Sequence, residues 1–353
     1  MVRHCLVAFV ALLLIGCAEA PPSVQPLSTP QASAPAARQS AGGGTGLDIA
    51  VPPFASSDPK YQDVGRQIAE IIAADLVRSG RFPGRVPPTA ALSAMDPTAP
   101  PRWADWKESG AIAVIRGHLA ATDMSAGTKD VRALRIQVML LDVEKQSMRL
   151  GRAYTVRVEG WRRGAHLIAD DVQKALVGVD GAWGSRMVYI TELPTGERRL
   201  AIMDQDGANR YFLTGPMKGL RDLATTGAGA EITYSVETRG GNARFRLSIE
   251  TAHLEAVSPA APPREVVSPD GTLIAFVRND SLWVQTRQNG QEKQVARAVS
   301  PVSLAWASNG RKIAFIRKTS SGPRPFAVDI DTGHLYAIPT PDNAVEVAWL
   351  GAP

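Results

Sequence analysis

Two stretches of this 353-residue chain repeat one another. Ser268-Pro269-Asp270-Gly271 precedes Ile274-Ala275-Phe276-Val277-Arg278, and Ser308-Asn309-Gly310 precedes Ile313-Ala314-Phe315-Ile316-Arg317. The offset is about forty residues, the period of a unit built from four short strands. Turn residues before each run supply the positive φ angles of a tight connection, and the runs themselves have strand length. Met187-Val188-Tyr189-Ile190 and Glu231-Ile232-Thr233-Tyr234-Ser235 read as degenerate copies. Each run is expected to be the inner strand of its unit. A single four-stranded unit cannot bury both faces of its sheet, so such units stack on one another. Residues 185–353 therefore predict an all-β, propeller-like domain of about four WD40-like blade units, either as a small ring or as an open array of sheets. Trp306 and Trp349 recur beside these runs and are expected to pack between blades.

The segment before the repeats has a different period. Leu47 to Val51 reads as a strand stopped by Pro52-Pro53. From about Tyr61 to Ser79, Val64, Ile68, Ile71, Ile72 and Leu76 fall on one helical face, with Gly80 as the stop. A Pro-rich loop over 83–101 leads to a short helix at Trp103–Ser109 and a strand at Ala111–Ile115. Strands at Ala133–Val143 and Arg149–Val158 flank Glu144-Lys145-Gln146-Ser147 and predict a hairpin. A last helix is expected over Gly164–Val177, with Ile168, Ala169, Val172 and Leu176 inward. This order of elements predicts an α/β domain over residues 47–178.

The N-terminus carries an export signal. A short basic head, Met1-Val2-Arg3-His4, precedes the apolar run Cys5 to Gly16. The run is shorter than the roughly 20 residues a membrane-spanning helix needs, so residues 1–16 read as a signal peptide. Leu14-Ile15-Gly16-Cys17 resembles a lipobox, which would make Cys17 the acylated first residue of the mature chain. Ala18-Glu19-Ala20 offers a second cleavage site, but Pro21 would follow its scissile bond, which favours the Cys17 reading. Residues 17–46 are rich in Pro, Ala, Ser and Gly, too poor in apolar area to fold, and are expected to be a disordered tether. As a coil it spans about 30 Å, and stretched about 90 Å. Cys5 and Cys17 are the only cysteines, so no disulfide framework supports the mature fold. The formal charge of +5 is spread along the chain without a dense Lys/Arg tract, and nucleic acid is not an expected partner.

The stretch joining the two domains resembles the TolB family. The residues that carry the likeness are Arg163-Gly164-Ala165-His166-Leu167-Ile168-Ala169-Asp170-Asp171-Val172, then Leu176-Val177-Gly178, then Gly181-Ala182-Trp183-Gly184-Ser185-Arg186-Met187-Val188-Tyr189-Ile190. They follow the family's R-x-x-A-H-x-x-A-D-x-v, L-t-G and G-x-F-x-s-r-I-x-Y-v. Asp204-x-Asp206-Gly207-x-Asn209 with Leu213-Thr214 matches the next family turn, Leu47 to Phe54 its first strand, and Ser79-Gly80-Arg81-Phe82 its helix end. The likeness is dense as far as Thr214 and sparser beyond. It implies an α/β domain before a propeller and a non-enzymatic periplasmic protein of the Tol-Pal system. Its implied partners are the lipoprotein Pal, through the propeller, and TolA, through the N-terminal segment. Its implied role is to support outer-membrane integrity and constriction at division. Two departures stand out: about four blade units replace the family's six, and a long tether replaces its short mature N-terminus. The membrane is expected to be met only through Cys17. Acylated Cys, Pro-rich linker and α/β domain also resemble a tethered lipoprotein that regulates an envelope enzyme such as a peptidoglycan synthase.

No constellation points to catalysis, a cofactor or a metal. His166 and Asp170 at i,i+4 spacing invite an acid/base pair, but the family's junction pattern implies that His166 fixes its helix against the propeller. Asp204, Asp206 and Asn209 supply oxygen ligands without the closing Glu of a calcium loop, and a hairpin turn accounts for them. HExxH and CxxC are absent, so zinc is not expected. No G-x-S-x-G elbow occurs, and the sequence stops at Pro353 just after the last blade-like unit, so a hydrolase domain is not expected either. Ser268-Pro269-Asp270-Gly271 reads as a turn.

Overall fold

The structure, a computed structural model, describes residues 49–82, 99–126, 129–226, 231–258, 265–340 and 343–351. The expected signal peptide (1–16) and tether (17–46), with Cys17, lie outside these residues. No helix among the described residues is long and apolar enough to cross a membrane.

The first sheet contains β1 (Ile49–Ala50), β2 (Ala55–Ser56), β3 (Ala113–Ala126), β4 (Lys129–Asp142) and β5 (Ser147–Arg157). β1 and β2 both run parallel to β3, and β3, β4 and β5 form an antiparallel meander. Alternation along each strand serves two cores. Ile49, Ala113 and Ile115 face helices α1 (Gln62–Arg78) and α3 (Trp161–Val177). Ala50 and Val114 face Trp106 of the short helix α2 (Trp103–Glu108).

Helix α1 buries Ile68, Ile71, Ile72 and Leu76, the face its periodicity announced. Asp58 starts the preceding turn by accepting from the Lys60 N–H at 2.9 Å. The buried Phe54 ring lies flat against Gly117 of β3, where a Cβ would stand 2.1 Å from the ring. β3 and β4 are each fourteen residues long, where runs of Ala111–Ile115 and Ala133–Val143 were expected. The extension of β3 is not a continuous apolar run, and its pairing to β4 sustains it.

Four four-stranded sheets follow. The chain contributes β6 (Arg186–Glu192), β7 (Arg198–Asp204) and β8 (Tyr211–Phe212) to the first. The second is β9 (Arg221–Thr226), β10 (Glu231–Thr238), β11 (Gly241–Ser248) and β12 (Leu254–Val257). The third is β13 (Glu265–Val267), β14 (Leu273–Arg278), β15 (Ser281–Thr286) and β16 (Glu292–Arg297). The fourth is β17 (Val299–Trp306), β18 (Lys312–Thr319), β19 (Gly322–Asp329) and β20 (Leu335–Ala337). The last strand, β21 (Ala344–Leu350), returns to pair antiparallel with β6, Val347 opposite Tyr189, and completes the first blade.

The inner strands are β21, β9, β13 and β17, which approach one another between blades. The repeated runs were expected in that inner position, but they occupy β6, β10, β14 and β18, the second strand of each blade. The displacement follows from the turn: Ser268 to Gly271 joins the inner strand to the repeated run rather than preceding a whole unit. Ser268 Oγ accepts from Leu273 N at 2.9 Å and Gly271 adopts φ +74°.

One apolar core joins the first, second and fourth blades, and another joins the third and fourth. Among the described residues no buried cluster joins the second blade to the third, so the core runs as an arc. Trp306 of the fourth blade donates its indole N–H to Val266 O of the third at 2.8 Å, and Trp349 donates to Ser185 Oγ at 2.5 Å. Glu346 on β21 accepts from the N–H groups of Leu223 (2.8 Å) and Asp222 (3.3 Å) and ties the second blade to the closing strand.

Candidate functional site

A cluster of buried polar groups lies where α1 and α3 meet the first and fourth blades. Trp183 is at the centre. It is fully buried, and its indole N–H points at Gln173 Oε1 of α3 at 3.4 Å. Lys312, the first residue of β18, places Nζ 3.3 Å from the centre of the Trp183 ring, and the Arg78 guanidinium of α1 lies 5.7 Å from it. Two cations on one electron-rich indole gain electrostatic attraction in a desolvated setting. Burial pushes the Lys312 ammonium down to about 8, against the upward pull of Asp170 and Asp329. Among the described residues neither Lys312 Nζ nor the buried Tyr336 hydroxyl has a hydrogen-bond partner.

His166 and Asp170, one turn apart on α3, do not pair. Asp170 accepts from the backbone N–H groups of Trp183 (2.8 Å) and Gly184 (2.9 Å) and so anchors the loop that delivers Trp183. Burial raises its carboxyl to about 6, opposed by those two hydrogen bonds. His166 instead bonds through Nδ1 to Asp75 Oδ2 of α1 at 2.5 Å, and Arg78 holds the other Asp75 oxygen at 3.1 Å. Its Nε2 faces Asp206 Oδ2 of the β7–β8 turn at 3.6 Å. Burial disfavours the imidazolium, but the Asp206 and Asp75 carboxylates outweigh it and raise His166 to about 10. Asp206 is partly buried, yet the His166 ring, the Ala208 N–H and Arg162 hold it below the usual carboxylate range. His166 therefore bridges both domains.

The β7–β8 turn has the hairpin geometry expected of Asp204 to Asn209. Gly207 takes φ +84°, and Asn209 Nδ2 donates to Asp204 Oδ2 at 2.6 Å. A second bridge links Arg81, beyond α1, to Asp329 (3.2 Å) and Asp331 (3.1 Å) of the fourth blade. Asn309, in the repeated turn, donates to Asp180 O at 3.0 Å. A cleft of about 260 Å³ opens beside Asp75 and Asp206, lined also by Glu70, Arg78 and Arg162.

Asp75, Arg78, Lys312 and Tyr336 escaped the sequence reading. Asp75 carried a signal, because it stands seven residues after Ile68 and four after Ile71, on the buried face of α1, where a charge needs a partner. Lys312 carried one as well: it holds the place that Leu273 holds in the other repeat.

Residues 40–148 match the TolB amino-terminal domain. The chain carries a TolB-type amino-terminal domain. A stretch of 214 residues is 32% identical to the Tol-Pal system protein TolB of Paramagnetospirillum magneticum (strain ATCC 700264 / AMB-1), covering 60% of this chain. It spans 46% of that relative, somewhat under half its length. The fold is also similar to the crystal structure of TolB from Acinetobacter baumannii, with a TM-score of 0.59 at 16% identity, over 87% of this chain and 97% of that one. The junction that resembles the TolB pattern is thus the place where this fold locks its α/β domain to its blades.

Proposed function

We propose that this chain is a non-enzymatic periplasmic protein that acts by protein–protein contact in a Tol-Pal-type system. In this reading the blade array engages a Pal-like lipoprotein, the N-terminal region meets a TolA-like protein, and the chain supports outer-membrane integrity and constriction at division. The observation that carries it is the TolB amino-terminal match together with 32% identity to a Tol-Pal system protein across the junction. The junction fits such a role, because its ionic groups are consumed in bridging two domains.

The test is affinity purification of a tagged chain from cross-linked envelopes, beside a deletion strain. Enrichment of a Pal-like lipoprotein and leakage of periplasmic contents on deletion are expected. Repeated absence of any Pal-like or TolA-like protein, with an intact envelope in the deletion strain, overturns the reading.

The Leu14-Ile15-Gly16-Cys17 stretch and the Pro-rich segment after it favour an outer-membrane anchor at Cys17. Mass spectrometry of the mature N-terminus tests it: a diacylated Cys17 is expected, and an unmodified Pro21 start refutes it. The same stretch favours a second reading, a tethered regulator of an envelope enzyme, which predicts enrichment of a peptidoglycan synthase in place of a Pal-like protein.

A further inference from the structure

We propose that His166, Asp204 and Asp206 form a site for a divalent transition-metal ion of the zinc class, set between α3 and the first blade. The three residues bring one ligating atom each to within 4.8 Å of one another. An imidazole nitrogen with two carboxylates suits zinc and its first-row neighbours, whereas calcium takes six to eight oxygens. This goes beyond the envelope role and does not rest on it.

The histidine is what separates this cluster from an ordinary acidic turn. His166 is 1% exposed, and its Nε2 has no hydrogen-bond partner among the described residues. That nitrogen looks toward Asp206 Oδ2 across 3.6 Å, too far for a hydrogen bond. A buried polar atom without a partner is costly, and an ion at this point would satisfy it. On the other side of the ring, Nδ1 meets Asp75 Oδ2 at 2.5 Å. A carboxylate behind the ring is the usual support of a metal-bound histidine; it fixes the ring's orientation, and the ion would take the place of the Nε2 proton. Arg78 in turn holds Asp75.

The carboxylates are also positioned. Asn209 holds Asp204 Oδ2 at 2.6 Å, and the Ala208 N–H holds Asp206 Oδ1 at 3.0 Å. Arg162 occupies Asp206 Oδ2 and would swing aside into the cleft as the ion enters. Metal–ligand distances of about 2.0–2.2 Å place tetrahedral donors about 3.3–3.6 Å apart, so side-chain rotation of about 1 Å closes the site. The cleft is lined by Asp206 and gives the ion a path in from that side. Bound there, the ion would staple α3 to the β7–β8 turn and stabilise the junction by mass action.

The test is calorimetric titration of Zn²⁺ into the chelator-stripped full chain, with thermal unfolding read in parallel. One equivalent should bind and raise Tm. His166→Gln and Asp204→Asn should each weaken binding at least tenfold, while Glu70→Gln, in the same cleft, should leave it unchanged. Absence of saturable binding, or equal binding by folded His166→Gln and Asp204→Asn variants, overturns the proposal. If those variants do not fold, anomalous diffraction from Zn²⁺-soaked wild-type crystals decides. A peak between His166, Asp204 and Asp206 supports the site, and peaks only elsewhere overturn it.

Discussion

Lys312 Nζ stands 3.3 Å above the Trp183 ring, and neither residue reaches solvent. The ammonium has given up water for an aromatic face and the carboxylates of Asp170 and Asp329, without a hydrogen bond among the described residues. The contact joins the loop after α3 to the fourth blade and makes the junction a charged core rather than an apolar one.

Lys312 makes the stability of the chain rise with pH in the alkaline range. Its ammonium titrates near 10.5 in the unfolded chain and near 8 in the folded one. Between these values the unfolded state holds the extra proton, so stability grows as pH rises from about 8 toward 10.5. The gain is on the order of 3 kcal/mol. Denaturant unfolding of wild type and Lys312→Met at pH 7.5 and 10 checks this; the variant should lose the rise.

Truncating Trp183 should cost about 3–5 kcal/mol, the range for large buried aromatics. Trp183→Ala also strips Lys312 and Arg78 of their shared ring. Calorimetry should show a lowered Tm and separate transitions for the two domains. Trp183→Phe, which restores the aromatic residue of the family pattern, should lose less and keep one transition.

Removing the Asp75 carboxylate breaks two buried contacts at once, to His166 and to Arg78. Asp75→Ala should destabilise the chain by about 3–5 kcal/mol, because the partner charges stay buried. A double-mutant cycle with His166→Gln should return a coupling of at least about 1 kcal/mol. Urea unfolding measures both, and an additive cycle would mean that the bridge does not act as a unit.

Glu346 acts in the opposite pH range. Burial raises it from 4.5 to about 7, although the Leu223 and Asp222 N–H groups favour its ionised form. Between those values the folded state holds the extra proton, so stability falls as pH rises from about 4.5 to 7, by on the order of 3 kcal/mol. Unfolding curves at pH 5 and 7.5 should show the fall in wild type and a flatter profile in Glu346→Gln.

What the sequence determined by itself is what neighbours along the chain dictate. The apolar spacing from Ile68 to Leu76 dictates a helix, and the turns at Ser268 and Ser308 with the runs behind them dictate short strands in repeating units. The family motifs around His166 and Asp204 mark the junction. The tertiary structure alone decided which charges meet there. His166 chooses Asp75, ninety-one positions away, over Asp170 one turn along its own helix, because Asp170 is consumed by the Trp183 and Gly184 amides. β21 returns to β6, which makes the last strand part of the first blade. Lys312 finds Trp183, and Nε2 of His166 comes to face Asp206, only once both domains are packed. Local periodicity reflects backbone geometry and apolar burial, which depend on near neighbours. Pairing among buried charges depends on which groups desolvation strands together, and that exists only in the folded chain.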